Sequence, residues 1–240
     1  EASSWVRARL LKETLQEFLM ETSEKWPKFE IALQSLKSKL IKTIDSNQLP
    51  GVKLSHWKAM FFDSADAIVL QEQLRREYSK PFKSNVLGKL NVTLTNGENF
   101  EVIAKAERID RSHLGYYIYE YKLGATSKVH FENFSPHLDI LGMILKSGQF
   151  TNLSGNNFLG VGSIGLGVNP RNFFKEISEQ DLNDRYQALK DLIERMVVKK
   201  EPFVARLRTK NSGNPNSDYD HLSRYGEWLD DEDYEVFYFE

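Results

Sequence analysis

The spacing of the apolar residues changes once along this chain, and that change restricts the fold more than any other feature. Over roughly the first eighty residues, apolar side chains recur every three or four positions, as they do on the buried face of a helix. From Leu87 onward they alternate, and Asn96-Gly97 is typical of a tight turn between antiparallel strands. The sequence therefore predicts a helical region followed by a β-hairpin.

The elements predicted after this hairpin complete a mixed fold. A second turn joins the returning strand, 100–109, to a third strand, 116–122, so that three strands form a meander. A helix is predicted from Pro136, a strand over 158–168 and a further helix over 179–198. This order indicates an α/β (α+β) sandwich with a mixed central sheet, an antiparallel three-strand meander, flanking helices and an N-terminal helical region.

Four glycines lie in the strand predicted over 158–168: Gly160, Gly162, Gly165 and Gly167. They do not form a phosphate-binding loop, because neither Lys-Ser nor Lys-Thr follows them. They are typical of a strand that another backbone approaches closely.

The chain is predicted to be one continuous domain with two parts. Residues 1–85 form the N-terminal helical part, and residues 86–240 form the core with a C-terminal tail. Because the chain opens with Glu1 and shows no charged-then-apolar leader, we expect a fragment of a longer chain and not a secreted precursor.

The composition excludes several classes of site. The chain has no cysteine, which excludes a disulfide framework, a thiolate zinc site and a cysteine-ligated iron–sulfur cluster, and favours the cytoplasm. Its apolar runs are far shorter than the ~20 residues of a membrane helix, so no membrane association is expected.

The net charge of -2 does not by itself indicate a nucleic-acid binder. Arg206, Arg208 and Lys210 nevertheless form a basic cluster, which is either a DNA-binding track or an ordinary solvated surface.

The residues that carry chemistry lie on the second and third predicted strands. If their turn is centred between His113 and Leu114, Glu107 lies opposite Glu120 and the two carboxylates share one face. Lys122 then points to that face, because it follows Glu120 by two residues, whereas Asp110 points to the opposite face. Strand geometry therefore favours Glu107 over Asp110 as the partner of Glu120.

Two opposed carboxylates repel each other unless a cation or a shared proton lies between them. Magnesium takes oxygen ligands and keeps several waters, so Glu107, Glu120 and the main-chain carbonyl of Tyr121 could bind it and leave positions open. Lys122 could then orient the attacking water or help to deprotonate it. The alternative is a solvated ladder of alternating charge on an exposed sheet face.

The sequence around these residues resembles a known family. Residues 104–111 read A-K-A-E-R-I-D-R and residues 117–125 read Y-I-Y-E-Y-K-L-G-A. They are similar to the A-R-A-D-R-I-D-R and I-I-D-Y-K-T-G-A segments of AddB-type nuclease domains, in the RecB-like branch of the PD-(D/E)XK superfamily. Residues 134–138, 148–150 and 218–224 resemble further segments of that family, so the likeness extends over nearly the whole chain.

This resemblance implies a restriction-endonuclease-like core and a magnesium-dependent DNA exonuclease, with manganese as a substitute metal. It assigns Glu107 and Glu120 to the two metal-ligand positions and Lys122 to the catalytic lysine. It also implies a DNA strand or broken duplex end as substrate, a helicase–nuclease partner subunit of AddA type, and double-strand-break repair in the bacterial cytoplasm. The alternative is an inactive module of the same fold that serves DNA guidance or subunit docking.

Three departures from the family pattern bear on activity. The family usually has aspartate where this chain has Glu107, and Lys12 stands where a metal-associated histidine is expected; a lysine cannot ligate while protonated. His137 replaces a glutamine, and we expect it to keep a polar contact instead of becoming a ligand. Lys12 and His137, together with Asp110, are accessory candidates for the site.

Overall fold

A computed structural model describes residues 4–47, 51–123, 127–133, 135–153, 157–166 and 170–201. Their elements are α1 (Ser4–Glu21), α2 (Phe29–Ser46), α3 (Gly51–Arg75), β1 (Lys80–Thr93), β2 (Asn99–Arg111), β3 (Tyr116–Lys122), α4 (Lys128–Asn133), α5 (Pro136–Lys146), β4 (Phe158–Gly165), β5 (Phe173–Glu176) and α6 (Glu179–Val197).

The predicted fold class is confirmed. The strands form one mixed sheet in the order β1-β2-β3-β4-β5, in which β3 and β4 are parallel while β2–β3 and β4–β5 are antiparallel. Helices flank this sheet and a helical region precedes it, an arrangement compatible with a restriction-endonuclease-like core. Within the described ranges, no helix is both long enough and apolar enough to cross a membrane.

Two compact units make up the chain. The first comprises Glu1–Val92 with Asn99–Gln187, and the second comprises Thr93–Glu98 with Ala188–Glu240. In the second unit, the main-chain N–H and the hydroxyl of Thr95 donate to the two carboxylate oxygens of Glu194 at 2.9 and 2.6 Å. The division at residue 85 stays a prediction; helix α3 ends at Arg75 and β1 begins at Lys80.

The apolar stripes of the helical region form one core with the sheet. The stripe on α1 and that on α2 bury their leucines against α3 and against Tyr119 and Tyr121 of β3. Full burial of one such side chain contributes about 1.5–3 kcal/mol, so several leucines together hold α1 firmly in place. The fully buried members on α1 and α2 are Leu10, Leu11, Leu15, Phe18, Leu19, Ala32, Leu36, Leu40 and Ile44.

Three features differ from the sequence expectation. Strand β1 begins well before Leu87. The sequence does not show this start, because Asn85 has a φ of 54° and interrupts the alternation that reveals a strand. The sequence did not reveal α4 or β5, which have only 6 and 4 residues and are too short for a recognisable period.

The glycines of β4 allow close approach, as predicted. A Cβ added at Gly160 would lie 2.5 Å from the carbonyl oxygen of Lys175, and one at Gly165 would lie 2.6 Å from the main-chain nitrogen of Arg171. At Gly162 a Cβ would lie 2.5 Å from the ring of Tyr119, so this glycine makes room for a side chain. Gly167 lies outside the described residues.

A buried cluster of charges ties β2 to α3. The guanidinium of Arg108 donates to Glu72 at 2.8 and 3.0 Å and to Asp110 at 2.6 and 2.7 Å. Arg75 and Arg76 also donate to Glu72, at 2.9 and 3.1 Å. Burial raises the pKa of the Glu72 carboxyl, but the guanidinium of Arg108 outweighs this effect and the pKa lies below its ordinary value.

We predict that Glu72→Gln lowers the free energy of unfolding by about 3 kcal/mol, because it leaves buried guanidinium groups without their anion. Because the pKa of Glu72 is lowered in the folded state, its contribution is present above the unfolded pKa of 4.5 and is lost as pH falls through the folded value. Urea titrations at pH values from 7 to 3 should therefore show that the free energy of unfolding falls less with decreasing pH in the variant than in the wild type.

The matched control for this prediction is Glu101→Gln, which removes an exposed ion pair with Lys89 and should cost less than about 1 kcal/mol. Equal losses in the two variants would show that the buried cluster contributes no more than a surface pair.

Candidate active site

The predicted register of β2 and β3 is confirmed where the two strands pair. Arg108 lies opposite Tyr119, Ile109 opposite Ile118, and Asp110 opposite Tyr117. This is the register in which Glu107 and Glu120 come next. The main-chain pairing of the strands ends at Arg108 and Tyr119. Beyond it, the main-chain N–H of Tyr121 donates to the side chain of Glu107.

Glu107 is held by α1 and by the end of β3. The ammonium of Lys12 lies 2.6 Å from its Oε1, and the main-chain N–H of Tyr121 donates to its Oε2 at 2.7 Å. One turn after Lys12, the amide of Gln16 donates to the Glu107 carbonyl oxygen at 3.2 Å. Both carboxylate oxygens of Glu107 therefore have strong donors.

Glu120 is the more buried acid of the pair. Its side chain is 8% exposed, and its Oε2 alone receives both the ammonium of Lys122 at 2.9 Å and Nε2 of His137 at 2.6 Å. Its Oε1 is buried and has no hydrogen-bond partner. Burial raises the pKa of the Glu120 carboxyl, but the hydrogen bonds from His137 and Lys122 outweigh it, so the pKa lies below its ordinary value and the group is a carboxylate at neutral pH.

His137 makes the polar contact predicted for it. It follows Pro136 in the first turn of α5, whose apolar residues Leu138, Leu141 and Ile144 are buried. This helix packs against β2 and β3, which places the imidazole beside Glu120. Because a carboxylate can only accept, Nε2 of His137 carries the proton in this contact.

Asp110 does not belong to the site. It is fully buried in the charge cluster, where it accepts hydrogen bonds from Arg108 and from the Ser79 hydroxyl at 3.3 Å. The structure thus pairs Lys12 with Glu107, and it places Lys122 and His137 on Glu120. The basic residues predicted to bind DNA lie outside the described residues: Arg206, Arg208 and Lys210.

Gln16 is a site residue that the sequence interpretation missed. Its side chain is 7% exposed, although amides are mostly found at the surface. The available signal was its spacing from Lys12, since residues four apart lie on the same face of a helix. Besides Glu107, Gln16 binds Asn85, whose amide donates to it at 2.5 Å.

Among the carboxylate oxygens of Glu107 and Glu120, only Oε1 of Glu120 has no hydrogen-bond donor. In the part of the chain that the structure describes, no three His, Cys, Asp or Glu side chains are grouped so that they could hold a metal ion. Magnesium, however, is usually bound by only one or two carboxylates together with waters. The unpartnered Oε1 of Glu120 is a suitable oxygen ligand, whereas each oxygen of Glu107 already accepts a hydrogen bond and the Lys12 ammonium neutralises its charge.

We predict that Gln16→Ala lowers the free energy of unfolding by about 1 kcal/mol, because it removes part-buried hydrogen bonds to Asn85 of β1 and to the Glu107 carbonyl oxygen of β2. Urea denaturation checks this value. The control is Gln180→Ala on α6, which removes an exposed contact with Asp184 and should change stability by less than about 0.5 kcal/mol. Similar values for the two variants would rule out an anchoring role for Gln16.

Comparisons with known proteins give only distant similarities. A candidate exonuclease from Eubacterium rectale has a crystal structure with a TM-score of 0.44 and 11% sequence identity, covering 95% of this chain and 77% of that one. The crystal structure of SSO0001 has a TM-score of 0.31 and 11% identity, covering 80% of this chain and 88% of that one. No protein-family model and no curated protein match the chain. The site has to be judged by its own chemistry.

Proposed function

We propose that the chain is a magnesium-dependent deoxyribonuclease domain in which Glu107, Glu120 and Lys122 act on a phosphodiester bond. The observation that carries this proposal is the buried, unpartnered Oε1 of Glu120 beside Lys122. A buried carboxylate oxygen without a partner is costly, and a hard cation at this oxygen would remove that cost. The resemblance of the two strands to the PD-(D/E)XK pattern supports the same assignment.

The side chains have distinct roles in this proposal. Glu120 would hold the metal through Oε1, together with the Tyr121 main-chain carbonyl and with Glu107 when it is released from Lys12. A bound magnesium ion would supply Lewis-acid polarisation of a phosphate oxygen, and manganese should replace it. Lys122 keeps its ammonium at the site through its contact with Glu120, where it can orient the water and stabilise the charge that develops on the phosphate.

The resemblance also supports a biological setting. The domain would be the C-terminal nuclease of an AddB-type subunit and would cut, as an exonuclease, a DNA strand delivered by a helicase–nuclease partner of AddA type. Such an enzyme would process broken DNA ends for recombination in the bacterial cytoplasm.

One observation favours a second candidate function. The ion pair between Lys12 and Glu107 already neutralises the first carboxylate, which a metal would otherwise do. A nuclease-fold module with this arrangement could guide DNA or dock a subunit while cleaving slowly or not at all.

We predict that Lys122→Ala lowers magnesium-dependent cleavage of single-stranded DNA at least ~100-fold but changes DNA affinity little. An ammonium that stabilises developing charge acts more on the transition state than on bound substrate. Cleavage of a fluorescent oligonucleotide and anisotropy binding measure the two quantities.

The control for this prediction is Lys89→Ala, which removes a lysine paired with Glu101 at an exposed position. It should change neither quantity. Cleavage by the wild type that is no faster with magnesium than with chelator would favour the second candidate function.

We predict that replacing Arg206, Arg208 and Lys210 by alanine weakens DNA binding and its salt dependence. Each phosphate contact on a single strand contributes about 0.7 to the slope of log affinity against log salt, so the slope should fall by about 2. Removing the paired lysines Lys37, Lys58 and Lys89 instead should leave the slope unchanged. An unchanged slope in the first variant would exclude this basic cluster as the DNA track.

A further inference from the structure

Lys12 is a part-buried residue, and its ion pair with Glu107 differs from an exposed surface pair. Lys12 and Glu107 are 95 residues apart in sequence, and their side chains are only 28% and 31% exposed. Lys12 lies next to the buried Leu11, and Gln16 on the same helix face binds the main chain of Glu107. Helix α1 therefore holds Glu107 twice, by its carboxylate and by its carbonyl.

The cluster is electrically balanced without a metal. Lys12 neutralises Glu107, and Lys122 neutralises Glu120, while His137 adds a hydrogen bond to Glu120. A divalent ion entering this cluster would meet two ammonium groups, and Glu107 would have no oxygen free of a donor. The attraction that usually draws a cation between two opposed carboxylates is thus largely cancelled.

We propose that the Lys12 ammonium is the resident cation of Glu107, so that a divalent metal binds first at Glu120 and reaches Glu107 only when Lys12 is displaced. This inference rests on the proposed metal site and specifies its regulation: Lys12 competes with the metal for one ligand. The wild-type chain should bind metal weakly, and its affinity should not depend on the charge of Glu107.

The test is a double-mutant cycle on metal binding, with Mn²⁺ as the probe and the electron paramagnetic resonance signal of free Mn²⁺ as the readout. The proteins are the 240-residue wild type, Lys12→Met, Glu107→Gln and the double variant. Lys12→Met should raise Mn²⁺ affinity by up to about fivefold, which corresponds to the ~1 kcal/mol upper value for a partly exposed ion pair. The control is Lys39→Met. Lys39 lies on α2 and bridges Glu17 and Glu21 of α1, so its replacement should leave the Mn²⁺ affinity unchanged.

The decisive comparison is the effect of Glu107→Gln in the two backgrounds. With Lys12 present, the substitution should leave Mn²⁺ affinity unchanged; with Lys12→Met, it should reverse the gain. If Glu107→Gln weakens Mn²⁺ binding equally in both backgrounds, Lys12 does not compete and this inference fails, while the metal site itself stands.

Absence of saturable Mn²⁺ binding in both the wild type and folded Lys12→Met would overturn the metal site and, with it, the competition. Circular dichroism in chelator checks that each variant is folded. Lys12→Gln serves in place of Lys12→Met if the methionine variant does not fold, since it also removes the charge and predicts the same gain.

Discussion

The pairing of Arg108 with Glu72 and Asp110 is the interaction on which the geometry of the site depends. A guanidinium that is 2% exposed tolerates burial only because carboxylates hold it from both sides. Since neighbouring residues of a strand point to opposite faces, holding Arg108 against α3 directs Glu107 to the other face of the sheet. The buried cluster thus orients the first candidate ligand without contacting it.

Helix α1 connects the apolar core to the candidate ligand Glu107. Its leucines belong to the core that Tyr119 and Tyr121 of β3 share, and its polar residues Lys12 and Gln16 bind Glu107 of β2. A shift of α1 would therefore change both the packing of the sheet and the charge balance of the site. The hydrogen bonds to β1 and β2 provide partners for the buried amide of Gln16, which would be costly without them.

Much of the site geometry could be predicted because it depends on local periods. The position of one turn is enough to set the register of β2 and β3, and the alternation of side chains places Lys122 on the same face as Glu120. The start of α5 at Pro136 could be predicted, but the contact of His137 with Glu120 depends on how α5 packs against the sheet. Short elements were missed because four to six residues show no period, and the start of β1 was missed because Asn85 interrupts its alternation.

The sequence by itself determined the order of the longer elements, the face on which each acid lies and the absence of any cysteine ligand. Only the tertiary structure decided which cation neutralises which carboxylate. The ammonium on Glu107 comes from a helix 95 residues earlier, and its distance is set by the packing of leucines in the helical core. Charge compensation depends on separation in space, which no periodicity along the chain encodes.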